Sequence, residues 1–186
     1  MYFKLKKKRI LIFGNTGFVG SWLSVTLDHF NANILGVALK MKDRNYLSNT
    51  REFRNKFKTI YCDLNNLKKI QKKIILFKPE IIIHLASQPI VSKSYNDPQK
   101  TFDTNIIGTV KIFEIVKKIS SVKKIIIFTS DKVYKNNYKS LTENSNLGGL
   151  DPYSASKSCQ DIISQSYNYS FIEKKMIILR SGNIIG

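Results

Sequence analysis

Residues 9–22 run Arg9-Ile10-Leu11-Ile12-Phe13-Gly14-Asn15-Thr16-Gly17-Phe18-Val19-Gly20-Ser21-Trp22. An apolar run of strand type leads straight into three glycines at three-residue spacing, and a helical pattern over Phe18–Phe30 follows at once. A pyrophosphate at such a place needs a tight turn, close backbone approach and free N–H groups at a helix N-terminus. Gly14, Gly17 and Gly20 supply the first two and the helix start supplies the third. A glycine-rich turn without a ligand is the weaker reading at this position in a βαβ unit.

Outward from this stretch the same alternation continues. Arg9–Phe13, Ile34–Leu39, Thr59–Tyr61, Ile81–Ala86, Lys124–Ser130 and Met176–Arg180 read as strands. Several are apolar on both faces, as parallel strands covered by helices on either side must be. Phe18–Phe30, Leu64–Phe77, Pro98–Ser120 and Tyr153–Lys174 carry helical periodicity, with Asp63 and Asp97-Pro98 as candidate caps. Strict alternation with right-handed crossovers predicts one α/β domain, a doubly wound parallel sheet of the Rossmann type with about six strands over 1–186. The sixth strand is expected to be a poorly covered edge, as in a fold cut short before a C-terminal substrate region.

The formal net charge of +18 raises nucleic-acid binding, but all except five of the 31 basic residues are lysine, scattered in pairs such as Lys68-Lys69 and Lys117-Lys118. Such pairs mark solvated helix faces, and base readout leans on arginine. The reading therefore excludes nucleic acid and favours anionic small molecules. No apolar run approaches the ~20 residues needed to cross a bilayer, so no membrane partner is expected and the chain reads as cytoplasmic. The cluster from Lys4 to Arg9 is followed by too short an apolar stretch for a signal peptide. Cys62 and Cys159 stand in no zinc-type cluster, so no metal is expected and both read as partly buried small hydrophobes.

Tyr153-Ser154-Ala155-Ser156-Lys157 sets a tyrosine and a lysine four residues apart, one turn along a helix face. An adjacent ammonium favours a phenolate and can make a phenol a working base. Thr129-Ser130-Asp131-Lys132 closes the preceding strand and offers a hydroxyl, a carboxylate and an amine. For cofactor choice, strand two ends Leu39-Lys40 with no carboxylate before Asp43, and Lys40, Lys42 and Arg44 lie nearby. Residue chemistry leaves NAD and NADP both open.

Together these runs resemble the CDP-glucose 4,6-dehydratases among the extended short-chain dehydrogenase/reductases. The match rests on Gly14–Leu23, His84-Leu85-Ala86-Ser87-Gln88-Pro89, Ser94–Pro98 with Asn105–Thr109, Thr129–Lys132, and Leu147–Tyr153. It continues to Arg180–Gly186, and the Asp131-Lys132 pair points to the CDP-glucose branch. The resemblance implies NAD as cofactor, held by Gly14, Thr16, Gly17, Phe18, Val19, Gly20, Asp63, Leu64, Leu85, Ala86, Asn105, Tyr153 and Lys157. His84 is either a cofactor neighbour or a hydrogen-bonded structural histidine. Gln88, Ser130 and Asn183 are implied to touch substrate. The implied reaction is the NAD-dependent dehydration of CDP-glucose to CDP-4-keto-6-deoxyglucose, for the deoxysugars of surface polysaccharide. Tyr153, assisted by Lys157 and Ser130, would deprotonate the 4-hydroxyl, Lys132 would take the C5 proton, and Asp131 would protonate the departing 6-hydroxyl. As a base Lys132 must be a neutral amine, which burial or neighbouring Lys157 would favour.

The resembled enzymes are longer, and their C-terminal half supplies most of the nucleotide-sugar pocket. Three expectations follow: a dehydratase completed by a complementing C-terminal half or by self-assembly, a non-catalytic dinucleotide-binding fragment, or another nucleotide-sugar epimerase or reductase. A homodimer through Pro98–Ser120 and Tyr153–Lys174 is also implied.

Overall fold

Ile10, Leu11, Ile12 and Phe13 are all buried, which is possible for consecutive strand residues only where both faces of a sheet are covered. A computed structural model of the chain describes residues 5–41, 46–135 and 140–185, and shows that arrangement. Six strands form one parallel sheet: β1 Arg9–Phe13, β2 Asn33–Ala38, β3 Lys58–Tyr61, β4 Ile81–His84, β5 Lys124–Phe128 and β6 Lys175–Leu179. Their spatial order is β3-β2-β1-β4-β5-β6, with every strand pair parallel. The order reverses between β1 and β4, and a crevice opens there beyond the carboxyl ends of the strands.

Alternate residues of β1 feed two separate cores. Leu11 and Phe13 pack with Val37, Ile82, Ile112, Phe113 and Ile125 on one face, while Ile10 and Ile12 pack with Leu27, Ile34, Phe53 and Ile83 on the other. The helices supplying these layers are α1 Phe18–His29, α2 Arg51–Lys56, α3 Gln71–Phe77, α4 Val91–Asn96, α5 Pro98–Phe102, α6 Gly108–Val116 and α7 Pro152–Ser170. β6 alternates exposed and half-buried residues from Lys175 to Leu179, so it is the half-covered edge the sequence predicts.

Two predicted helices differ in form. Leu64–Phe77 divides into a 3-10 segment, Leu64–Lys69, and α3. Asp63 caps it, its Oδ1 accepting from the Asn65 amide at 2.8 Å. Pro98–Ser120 begins as α5, capped by Asp97, widens into a π-type turn over Asp103–Ile107, and resumes as α6. The wide turn has a local cause. Asn105 turns its amide inward to bond the chain at Gln88, and Gly108 lies so close to Leu64 that a Cβ would stand 2.8 Å from its Cδ1. The sequence reading also lacks α2 and α4, each six residues long.

Candidate functional site

The phosphate loop fills the gap between β1 and α1. Gly14 adopts a φ of +90°, and a Cβ there would lie 2.7 Å from the Ala86 nitrogen beyond β4. A Cβ on Gly20 would lie 2.1 Å from the Gly14 carbonyl oxygen. At Gly17 the nearest atom would be 3.4 Å away, so this glycine leaves room on the open side of the loop. No side chain caps α1 and no acid occupies its first turn, which leaves the leading N–H groups and the positive dipole end for an anion.

The loop is braced from behind. Asn15 is fully buried over Gly36 of β2 and donates through Nδ2 to Thr59 Oγ1 at 2.8 Å. Thr16 donates through Oγ1 to the Leu39 carbonyl, and Ser48 donates to the Thr16 carbonyl, both at 2.7 Å.

In front of the loop lies a cleft of about 460 Å³, within the range usual for cofactor sites. Gly14, Thr16, Gly17, Phe18, Val19, Gly20, Asp63, Leu64, Leu85, Ala86, Tyr153, Lys157 and Asn183 all line it. Asn105 does not. It is fully buried, with Oδ1 accepting from the Gln88 amide at 2.8 Å and Nδ2 donating to the Gln88 carbonyl and to Ser156 Oγ. It shapes the wall at second hand. Gln88 is likewise occupied, bonded through its own side chain to Ile90 and Thr101. Tyr46, Cys62 and Thr104 line the cleft without any sequence motif to mark them. Cys62 directly follows β3, a strand end that gives a signal, whereas Thr104 lies in the π-type turn and Tyr46 well past β2, where local sequence gave none. Lys40 is exposed at the end of β2, whereas Lys42, Asp43, Arg44 and Gly186 lie outside the described residues.

Ser130, Asp131 and Lys132 follow Thr129 of the cleft wall without lining the cleft themselves; Ser130 Oγ donates to Asp131 Oδ1 at 3.0 Å and accepts from the Lys132 amide at 3.2 Å. Asp131 donates its N–H to the Ser181 carbonyl. Tyr153 opens α7, whose N-terminus is set by Pro152 and by Asp151 accepting from the Ser154 amide. Burial raises the Tyr153 phenol above its ordinary value; the Ser130 hydrogen bond works the other way, and Asp131 and Asp151 add to the rise.

Lys157 and Lys132 differ in their surroundings, and the expected burial of Lys132 is corrected here. Lys157 is buried, and its Nζ donates to the Phe128 carbonyl at 3.2 Å and to Gln160 Oε1 at 2.9 Å. Its ammonium is thus held by groups of β5 and α7, in the cleft wall that Tyr153 also lines. Burial brings Lys157 itself down to about 7. Lys132 is exposed, so the burial expected to favour a neutral amine acts on Lys157 and not on Lys132.

His84 is a hydrogen-bonded structural histidine. It is fully buried behind the cleft wall, with Nε2 2.9 Å from Thr109 Oγ1 and 3.1 Å from Gln160 Nε2. Burial, with the Lys157 charge adding to it, pushes His84 down from 6.5 to about 3. The neutral ring therefore stabilises the fold above 6.5, and that contribution is lost as pH falls from 6.5 towards 3, because only the unfolded chain gains the proton. Urea midpoints measured across this window should fall more steeply in the parent chain than in His84→Asn. Parallel profiles would contradict a buried neutral imidazole.

Comparison with known proteins agrees with this architecture. Residues 11–183 match the family model described as GDP-mannose 4,6 dehydratase. CDP-glucose 4,6-dehydratase of Salmonella typhimurium is 35% identical over 189 residues, covering 96% of this chain and 53% of that protein. dTDP-D-glucose 4,6-dehydratase of Dictyostelium discoideum is 34% identical, covering 96% of this chain and 44% of that protein. Among solved structures, UDP-glucose 4-epimerase of Brucella ovis in complex with NAD superposes with a TM-score of 0.81 at 18% identity, over 95% of this chain and 52% of its own. UDP-glucose 4-epimerase of Thermotoga maritima with UDP-glucose gives 0.82 at 25% identity, over 96% and 56%. The chain spans about half the length of the curated relatives it matches. On the family match across nearly all its residues, the chain belongs to the GDP-mannose 4,6 dehydratase family.

Proposed function

We propose that this chain is the NAD-binding and catalytic part of a nucleotide-sugar 4,6-dehydratase acting on CDP-glucose. The observation that carries the reading is that the phosphate loop, Tyr153 and Lys157 line one cleft at the sheet's reversal, with Ser130 hydrogen-bonded to Tyr153 and the Ser130-Asp131-Lys132 turn directly following Thr129 of the cleft wall. The 35% identity to a CDP-glucose 4,6-dehydratase supports the substrate class. The chain's fit to NAD rests on the glycine cradle, which a Cβ at Gly14 or Gly20 would fill, and on the uncapped start of α1. The Brucella ovis epimerase carries NAD in the same fold.

When bound, NAD supplies a reversible hydride acceptor, so that the reaction consumes none of it. Gly17 and the α1 amides would hold its pyrophosphate, and Asp63 and Leu64 its adenosine part. Tyr153, hydrogen-bonded to Ser130, takes the proton of the sugar 4-hydroxyl as C4 becomes a ketone. The ketone acidifies the C5 hydrogen, which Lys132 removes. Asp131 gives its proton to the 6-hydroxyl, which leaves as water, and the C5–C6 double bond so formed regains the same hydride at C6 and the Lys132 proton at C5. Asn183, on the cleft wall beside Gly182, faces the sugar. The remaining nucleotide-binding surface belongs to a C-terminal half, in continuation or as a second polypeptide, whose grip on the nucleotide orients the sugar.

Incubation with CDP-glucose and NAD should yield a nucleotide sugar lighter by one water. Lys132→Ala should keep NAD affinity and lose on the order of 100-fold or more in water elimination, the usual worth of one acid–base group. Undiminished dehydration in that variant would remove Lys132 from the mechanism. Inversion at C4 with no loss of mass would identify an epimerase instead.

A further inference from the structure

Lys157 is charged at acid to neutral pH yet buried, so its ammonium depends on the acceptors given to it. There are two, the Phe128 carbonyl and Gln160 Oε1, one turn further along α7. Gln160 is fully buried and has no freedom to turn away. Its Nε2 donates to Thr109 Oγ1 of α6 at 3.1 Å and lies 3.1 Å from His84 Nε2 of β4. Thr109 spends its own proton on the Asn105 carbonyl at 2.7 Å, which leaves its lone pairs to accept. His84 meets the same Thr109 oxygen at 2.9 Å through Nε2, which must donate to it because the Thr109 proton is already committed. With its amide nitrogen held from behind by Thr109, Gln160 turns its oxygen to Lys157.

We propose that Gln160 is a positioning residue, its amide locked by Thr109, which His84 holds in turn, so that its oxygen anchors the Lys157 ammonium in the cleft wall beside Tyr153. Two of the three ammonium protons are engaged by the anchor, and one remains for the cleft that Lys157 lines. Three elements that share no sequence neighbourhood, β4, α6 and α7, thereby fix one catalytic side chain. The inference rests on Lys157 serving the chemistry proposed above. The ionisable groups around the anchor are His84 from β4 and Tyr153 from α7; Asp161, next along α7, is closed in an ion pair with Arg180.

The test is a carbon NMR titration of the 186-residue chain labelled at lysine Cε, with the Lys157 signal identified by its loss in Lys157→Arg. Gln160→Met keeps the volume and removes the acceptor. The Lys157 midpoint should fall by about one to two pH units, the worth of a hydrogen bond to a charged group. Thr109→Val, which touches Gln160 but not Lys157, should move it in the same direction by less. Gln160→Glu should raise it. A Lys157 midpoint unchanged in folded Gln160→Met overturns the proposal. Should that variant not fold, Thr109→Val decides: a downward shift supports the anchor and no shift overturns it. The titration needs neither sugar nor NAD, so inertness towards CDP-glucose would sink the dehydratase reading and leave this result standing.

Discussion

The Asp161→Ala chain is expected to lose about 3–5 kcal/mol of stability, because the change strands a largely buried guanidinium. Asp161 has no exposed surface, and its carboxylate accepts from Arg180 Nε at 2.7 Å and Nη2 at 3.0 Å in a two-pronged pair. Gln165 Nε2 donates to the same carboxylate at 2.7 Å, and Thr129 Oγ1 lies 3.4 Å away. The hydrogen bond with Asp161 is the largest of the influences that raise Arg180 above the ordinary guanidinium value. Against a typical domain stability of about 5–15 kcal/mol, the loss would leave a substantial unfolded fraction. The pair also carries structure towards the site. Arg180 directly follows β6 and donates to Tyr134 Oη and the Glu143 carbonyl, so it ties the half-covered edge strand to α7 and to the segment before α7. Ser181, Gly182 and Asn183 of the cleft wall follow it immediately. Urea unfolding monitored by circular dichroism gives the check. Arg180→Met alone should cost a similar amount, while Asp161→Leu with Arg180→Met should recover most of it, since an apolar pair strands no charge. A single variant within about 0.5 kcal/mol of the parent, the range of ordinary surface changes, would contradict the account.

The parts of this fold that were legible in the sequence are those written in local spacing. Ile81-Ile82-Ile83 and Ile125-Ile126-Ile127 announce strands buried on both faces, and the structure places them side by side in register. The glycine loop and the Tyr153–Lys157 pair were legible for the same reason, since turn chemistry and one helical turn each span a few residues. What failed depended on tertiary packing. The break in the helix after Pro98 follows from Asn105 seeking the Gln88 backbone across 17 residues, and nothing in the local pattern announces it. α2 is held by the Phe53–Phe57 contact against the sheet and by a Thr50 cap, too short a signal to rise above a loop. The anchor of Lys157 was not legible because Gln160, His84 and Thr109 converge from separate elements, and their joint effect exists only once the chain is folded.

Gly17→Ala and Gly20→Ala are expected to separate two functions that the glycine motif combines. A Cβ at Gly17 meets only the Gly14 carbonyl, at 3.4 Å, and the backbone there has a φ of −69° that alanine adopts freely. The fold should therefore tolerate it, with a melting temperature near that of the parent. The methyl would nevertheless stand on the side where a pyrophosphate must approach the α1 amides, so NAD affinity should fall on the order of 100-fold, about 2.7 kcal/mol. At Gly20 the added methyl would run into main-chain atoms, the Gly14 oxygen at 2.1 Å and the Asn15 Cα at 2.8 Å. Backbone cannot give way as a side-chain tip can. The loop must then spread away from α1, disturbing the buried Asn15–Thr59 bond behind it, at a cost of about 1–3 kcal/mol as for other overpacked sites. NAD binding should be lost along with that stability. Calorimetric titration with NAD and thermal melts on the same samples distinguish the two behaviours. Full NAD affinity in a stable Gly17→Ala chain would mean that the dinucleotide does not lie on this loop, and the proposed function would fall with it.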